Sequence, residues 1–210
     1  LYAAIFAWGR RDIAIRKTLD LITLMDNAPY DFHTQAAVKE LVKFDTFAHR
    51  TFQSDDVLCF VQAIRHQLEV HGSLEKAFAG HLRSSDIGTA IHRFRHDFFS
   101  LPHLKRSEKH LPDPLSGSAA KRFNLYLRWM VRKDDAGVDF GIWDDLTPAI
   151  LQCPLDVHSS RVARRLGLLS REVNDWRAVE ELTSSLRQID PKDPIRFDFA
   201  LFGLGIFENF

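Results

Sequence analysis

Apolar residues recur at three- and four-residue steps through seven stretches of the chain. They are "AAIFAWGRRDIAIRKTLDLITLMD" (3–26), "DDVLCFVQAIRHQLEV" (55–70), "DIGTAIHRFRHDFF" (86–99), "KRFNLYLRWMVRK" (121–133), "SRVARRLGLL" (160–169), "DWRAVEELTSSLRQ" (175–188) and "PIRFDFALFGLGIF" (194–207). That period puts one apolar stripe on each helix, and a helix must bury such a stripe against a neighbour. No stretch keeps the two-residue alternation of a half-buried strand, so the expected fold class is all-α. Ser73 and Asn174 stand just ahead of helical runs, and Asp193 followed by Pro194 reads as a cap with proline at the first helical position. Residues 100–120 and 133–154, rich in proline, glycine and aspartate, break the pattern on either side of the helix 121–132. No internal repeat occurs.

At 210 residues the chain is long enough for one good core or two small lobes. Hydrophobic residues at 45% and charged residues at 27% fit a globular domain, and no apolar run approaches the ~20 residues of a membrane span. Cys59 and Cys153 are far apart and in no metal-like spacing, which fits a reducing compartment. The chain begins with Leu1 rather than Met, so an earlier stretch of the natural protein is expected to be missing.

Lysine plus arginine equals aspartate plus glutamate at 28 each, and overall charge therefore names no partner. Between residues 103 and 133, however, Lys105, Arg106, Lys109, Lys121, Arg122, Arg128, Arg132 and Lys133 face only Glu108 and Asp113, a local excess of six. This is an anion footprint or a solvated basic face.

Two residues invite chemistry. Asp156 precedes a helix whose early turns carry Arg161, Arg164 and Arg165, where a carboxylate caps free N–H groups and meets the helix dipole. Lys121 opens the amphipathic run 121–133. A desolvated lysine that loses its proton is an amine nucleophile, and a carboxylate beside it stabilises developing positive charge. Taken singly, the bland readings are a solvated lysine and a helix cap. His92 and His96 stand one turn apart, a metal-like spacing, but lack an obvious third ligand. Phe6, Trp8 and Trp129 could line a base pocket, although aromatics at helical spacing usually pack a core. Trp143 and Trp176 read as packing residues.

The segment "LDVHSSRVARRLGLL" resembles the V-D-T-H-x-x-R-V region of the helix-hairpin-helix DNA glycosylase superfamily, with Asp156, His158, Arg161 and Val162 in register. The start "AAIFAWGRRDIAIRKTLDL" is similar to that superfamily's early helix pair. "HLPDPLSGSAAKRFNLYLRWM" stands where its hairpin and following helix stand, closest to the archaeal 8-oxoguanine glycosylase branch. Over nearly its whole length the chain also resembles a bacterial family of conserved proteins of unknown function, through its "GSAAKRFNLYLRWMVRK" and "FALFGLG" blocks. The hairpin departs from the usual L-P-G-h-G by placing Asp113 and Pro114 in the turn, and the cluster-binding cysteines of some relatives are absent.

The resemblance implies a two-lobed fold with a cleft between the lobes: a helical lobe 1–132, with a hairpin-like element at 110–121, and a C-terminal helical lobe 133–210 packed against it. It implies base removal with lyase activity, on an oxidised purine or another damaged base. Lys121 would be the Schiff-base nucleophile and Asp156 would stabilise the cationic sugar. Trp8, Arg10, Trp129 and His158 would meet the substrate, with Trp8 or Arg10 filling the gap left by the extruded base, since the usual wedge position falls at Gly9. Lys105, Arg106, Lys109, Ser118, Arg122 and Arg161 would contact DNA. No cofactor and no metal is expected. The expected partner is damaged duplex DNA or another nucleic acid, with no membrane, and the expected form is a cytoplasmic, nucleoid-associated monomer. A non-catalytic nucleic-acid-binding module on the same scaffold is the alternative.

Overall fold

A computed structural model describes every residue except Ser84 and Asn209. The chain is mainly helical: α1 (Tyr2–Phe6), α2 (Arg11–Leu24), α3 (Pro29–Gln35), α4 (Ser54–His71), α5 (Leu74–Leu82), α6 (Ile87–Phe98), α7 (Lys121–Val131), α8 (Val157–Arg165), α9 (Trp176–Ile189) and α10 (Asp198–Phe207). Two two-residue strands, β1 (Ala48–His49) and β2 (Phe52–Gln53), pair antiparallel with His49 opposite Phe52. Among the described residues no helix is long and apolar enough to cross a membrane. Two compact units result, Leu1–Gly80 with Arg93–Leu111, and His81–His92 with Pro112–Phe210.

Local chemistry refines the periodic reading. The first run is broken after Phe6, where Gly9 adopts φ +83° and turns the chain from α1 into α2. Ser73 caps as expected, accepting the Lys76 N–H at 3.1 Å. The cap of α9 is Asp175 rather than Asn174, accepting from Ala178 N at 3.1 Å. Asn174 instead donates to Ser160 Oγ at 2.9 Å. Pro194 opens a 3-10 turn, Pro194–Phe197, so the last apolar run divides into that turn and α10.

The first unit is built on phenylalanine. Phe6 meets Phe52 edge-on at 5.1 Å, Phe52 meets Phe60 at 5.3 Å, and Phe60 meets Phe98 at 5.0 Å. Edge-to-face contacts of this kind add to the area that large rings already bury. Phe6 is fully buried in this stack, so its place is in the core rather than in a base pocket. A polar network pins the Lys105–His110 turn below the rings. Buried Asp56 accepts from Gln53 N at 2.8 Å and Ser107 Oγ at 2.6 Å, and pairs with Arg106 at 3.1 Å.

The second unit packs α7 through Phe123, Tyr126, Leu127 and Val131, and α9 through Val179, Leu182 and Leu186. Trp143 stands edge-on to Tyr126 at 5.4 Å, and Trp176 is buried against Gly88, both packing residues. Helices α8 and α10 touch backbone to backbone at Gly205, where an added Cβ would lie 3.0 Å from the His158 Cβ and carbonyl oxygen. A larger residue there would push α10 off α8.

Candidate active site

Ala120, in the left-handed region at φ +46°, turns the chain into α7 without a side-chain cap, which leaves Lys121 as the first helical residue. One turn on, buried Asn124 donates from Nδ2 to the Ala119 carbonyl at 3.2 Å and fastens that turn. Asp156, with extended backbone, caps α8. Its Oδ1 accepts from His158 N and Ser159 N, both at 2.8 Å, while Ser159 Oγ accepts the Asp156 N–H at 2.9 Å. The exchange is a reciprocal capping box.

The other oxygen of the same carboxylate is differently employed. Asp156 Oδ2 accepts from Lys121 Nζ at 2.8 Å, across 35 residues of chain. The lysine side chain is 39% exposed and the aspartate 14%, so the amine is open to an incoming molecule while the carboxylate is held from behind. Burial alone would raise the Asp156 pKa, but the Lys121 ammonium and the Ser159 donors hold it below the usual carboxylate range. It is therefore an ionised acceptor with one oxygen fixed by the helix and the other on the amine.

An ionic cluster centred on buried Arg128 and Asp139 lies in the same unit. Arg128 pairs through Nη2 with Asp139 Oδ2 at 3.0 Å and through Nη1 with Asp198, and its guanidinium covers the Phe199 ring at 3.8 Å. Arg132 bonds Asp139 at 2.7 Å and Asp193 at 2.8 Å. Burial pushes the Asp198 carboxyl up to about 6 against the pull of Arg128, with Asp156 and Lys121 adding smaller opposed effects. Sequence reading passed over Asp139, Asp198 and Asn124. The available signal was a polar residue in the buried stripe of α7, at Asn124 and Arg128.

Part of the local excess of basic charge is neutralised by partners within each unit. Arg128 and Arg132 are consumed as above, Lys105 pairs with Glu108 at 2.8 Å, and Arg106 pairs with Asp56. Residues 105–109 also belong to the first unit and 121–133 to the second. A count along the chain also includes charges that folding buries and pairs, such as Arg128.

The remaining candidates fall as follows. Trp8 is half-buried and Arg10 exposed in the first unit, with Arg10 paired to Asp12 at 2.8 Å. Trp129 is half-buried on α7. His158 follows the Asp156 cap, its ring edge-on to Phe202 at 6.0 Å. Lys109 is exposed. Ser118 is half-buried, and its Oγ accepts from Ala120 N at 3.2 Å, bracing the approach to Lys121. Arg122 is largely withdrawn from water, which lowers its pKa. Arg161 donates to the Gly205 and Phe210 carbonyls at 2.6 and 3.2 Å, tying α8 to the C-terminal segment.

The hairpin-like stretch takes its own form. Asp113 accepts from Leu115 N at 3.0 Å and Ser116 Oγ at 2.9 Å, and pairs with His92 at 3.0 Å, so His92 is held by a carboxylate. Gly117 follows at φ +86°. The intruding aspartate is the cap of a 3-10 turn, Pro114–Ser116.

This second unit therefore defines a helical protein with an accessible lysine on a capping aspartate. The family described as "Protein of unknown function (DUF2400)" matches residues 1–207, and the chain belongs to it. No curated protein and no solved structure matches the chain significantly.

Proposed function

We propose that the chain is a DNA glycosylase with lyase activity, of the helix-hairpin-helix type, acting on damaged duplex DNA with an oxidised purine as the candidate lesion. The observation that carries this reading is the 2.8 Å contact of Lys121 Nζ with Asp156 Oδ2, formed at the starts of two helices and open on the lysine side. The reaction needs these two groups at one sugar.

In this reading, DNA covering the pair removes water from both charges, and burial penalises both, so a proton passes from Nζ to Asp156 Oδ2 and leaves a neutral amine beside a neutral carboxyl. The Nζ lone pair then forms a bond to the sugar C1′ as the glycosidic bond breaks, and the base departs with that bonding pair and takes up a proton. Opening of the sugar ring gives the Schiff base. Loss of a C2′ proton then expels the 3′ phosphate. The proton on Asp156 Oδ2 goes to the departing base, and the carboxylate so restored, its Oδ1 held by the helix, stabilises the positive charge that builds on the sugar.

One observation favours the second reading, a non-catalytic nucleic-acid-binding module. Asp156 is fully occupied as a cap and ion-pair partner, so both residues have structural uses. Borohydride treatment of the protein on an oligonucleotide with an abasic site separates the two. A covalent adduct of protein and DNA, lost in Lys121→Gln, is expected for the lyase, and its absence from the unaltered protein selects the binding module.

A further inference from the structure

The first unit carries a cation whose donors are unspent. β1 and β2 are joined by a two-residue turn, Arg50 and Thr51, and Arg50 stands in its first position with φ +56°. That backbone is adopted more readily by glycine or asparagine, and an arginine there bears a strain on the order of 1 kcal/mol. The strained conformation turns the side chain back over the loop between α1 and α2. There the guanidinium lies 4.2 Å from the centroid of the Trp8 ring.

Gly9 completes the seat. A Cβ on Gly9 would overlap Arg50 Nη1, so the guanidinium rests against bare backbone. The stack covers one face of the guanidinium and uses none of its in-plane N–H groups. Among the described residues that guanidinium donates no hydrogen bond and meets no carboxylate, and the residue is exposed. Its neighbour Arg10 is already neutralised by Asp12.

We infer that Arg50, seated on Trp8 and Gly9 at the tip of the β1–β2 turn, is a binding site for a phosphodiester group of duplex DNA. The chemistry follows from geometry. A planar fork of N–H donors matches two phosphate oxygens, and a side chain already held in place loses little rotamer freedom on binding. The inference rests on the nucleic-acid part of the proposed function and not on the Schiff-base step.

The test uses the whole chain and a fluorescent duplex holding a tetrahydrofuran abasic analogue, with affinity measured by anisotropy over a salt series. Arg50→Gln keeps a flat polar group over the indole but removes the charge. It should weaken binding about tenfold and flatten the salt dependence by about 0.9 in the logarithmic slope, the value of one phosphate contact. Arg50→Lys should keep the slope and lose part of the affinity, and both variants should melt within a few degrees of the unaltered protein. Unchanged affinity and slope in Arg50→Gln overturn the site, as does an unaltered protein that shows no salt-dependent binding. Borohydride trapping, run in parallel, separates the two proposals. Trapping that fails while binding still depends on Arg50 removes the lyase and supports the site. Normal trapping with Arg50→Gln indistinguishable from the unaltered protein removes the site alone.

Discussion

At Lys121 and Asp156 a cation and a carboxylate meet at 2.8 Å with the lysine side chain 39% exposed, while Arg128, in the same unit and on the same helix as Lys121, meets Asp139 and Asp198 with no exposure at all. The half-exposed contact contributes at most about 1 kcal/mol to folding, because water screens it and the long side chain must be ordered. The buried cluster is held by what its disruption would leave behind, carboxylates without a partner in a medium that cannot solvate them. Seven residues of one helix thus separate a cation that an incoming molecule can reach from one that only the fold can use.

The comparison is broken most sharply at Lys121. Lys121→Gln removes the amine and keeps a side chain of similar reach, so the borohydride-trapped adduct should vanish while the melting temperature and DNA affinity stay close to those of the unaltered protein. A comparable loss of stability would place Lys121 with Arg128 as a fold residue. Asp156→Asn comes next. Asparagine caps about as well as aspartate, so denaturation should move little. Base excision should fall by roughly 10²–10³, the loss of about 2.7–4 kcal/mol seen when one well-placed electrostatic group is removed. A fall of less than about tenfold, roughly 1.4 kcal/mol, would leave Asp156 as a cap alone.

Arg128 should behave in the opposite sense. Arg128→Met fills much of the same volume and leaves Asp139 and Asp198 facing each other without their shared cation, though Arg132 still bonds Asp139 at 2.7 Å. Urea denaturation should report a loss of about 3–5 kcal/mol. A variant as stable as the unaltered protein would show that the cluster is replaceable by apolar packing, as some buried ion pairs are.

What the sequence disclosed follows the same division. Helices with an apolar stripe were legible because the three- and four-residue step is local, and Ser73 was legible as a cap for the same reason. The break at Gly9 left no trace in the periodicity, since a positive φ interrupts no apolar step, and it was legible only through the resemblance to a helix pair with its turn there. α3 was hidden because seven residues carry too little pattern. Asn174 and Asp175 are both good caps, but the Asn174 oxygen accepts from Arg164, and Asp175 takes the Ala178 N–H. Lys121 and Asp156 could be singled out as helix openers, but their pairing over 35 residues came only through resemblance. Asp198, 70 residues from Arg128, belongs to an ordinary apolar run, and nothing local distinguishes it from a solvated first-turn aspartate. Charge counting over 103–133 overstates the free charge because it takes Arg128, buried and paired with Asp139 and Asp198, as exposed.

The smallest expected effect concerns pH and acts on the buried side of the comparison. Asp198 has a folded-state pKa of about 6 against an ordinary 3.8, raised by burial against Arg128. Between about pH 4 and 6 the folded chain holds a proton that the unfolded chain has released. A state that binds more protons loses stability as pH rises, so this group's contribution is greatest below pH 4 and falls as pH climbs through 6, by on the order of 3 kcal/mol. Asp156 works in the other direction. Its depressed pKa gives stability that is present above the ordinary carboxylate range and lost on acidification. The two oppose each other in the measured curve, and Asp198→Asn separates them because asparagine carries no titrating proton. Urea midpoints taken at half-unit steps from pH 4 to 7 should rise more steeply with pH in Asp198→Asn than in the unaltered protein, whatever the offset caused by losing the Arg128 contact. Parallel curves would mean that Arg128 keeps Asp198 ionised throughout, so that the cluster carries its full charge in the folded state.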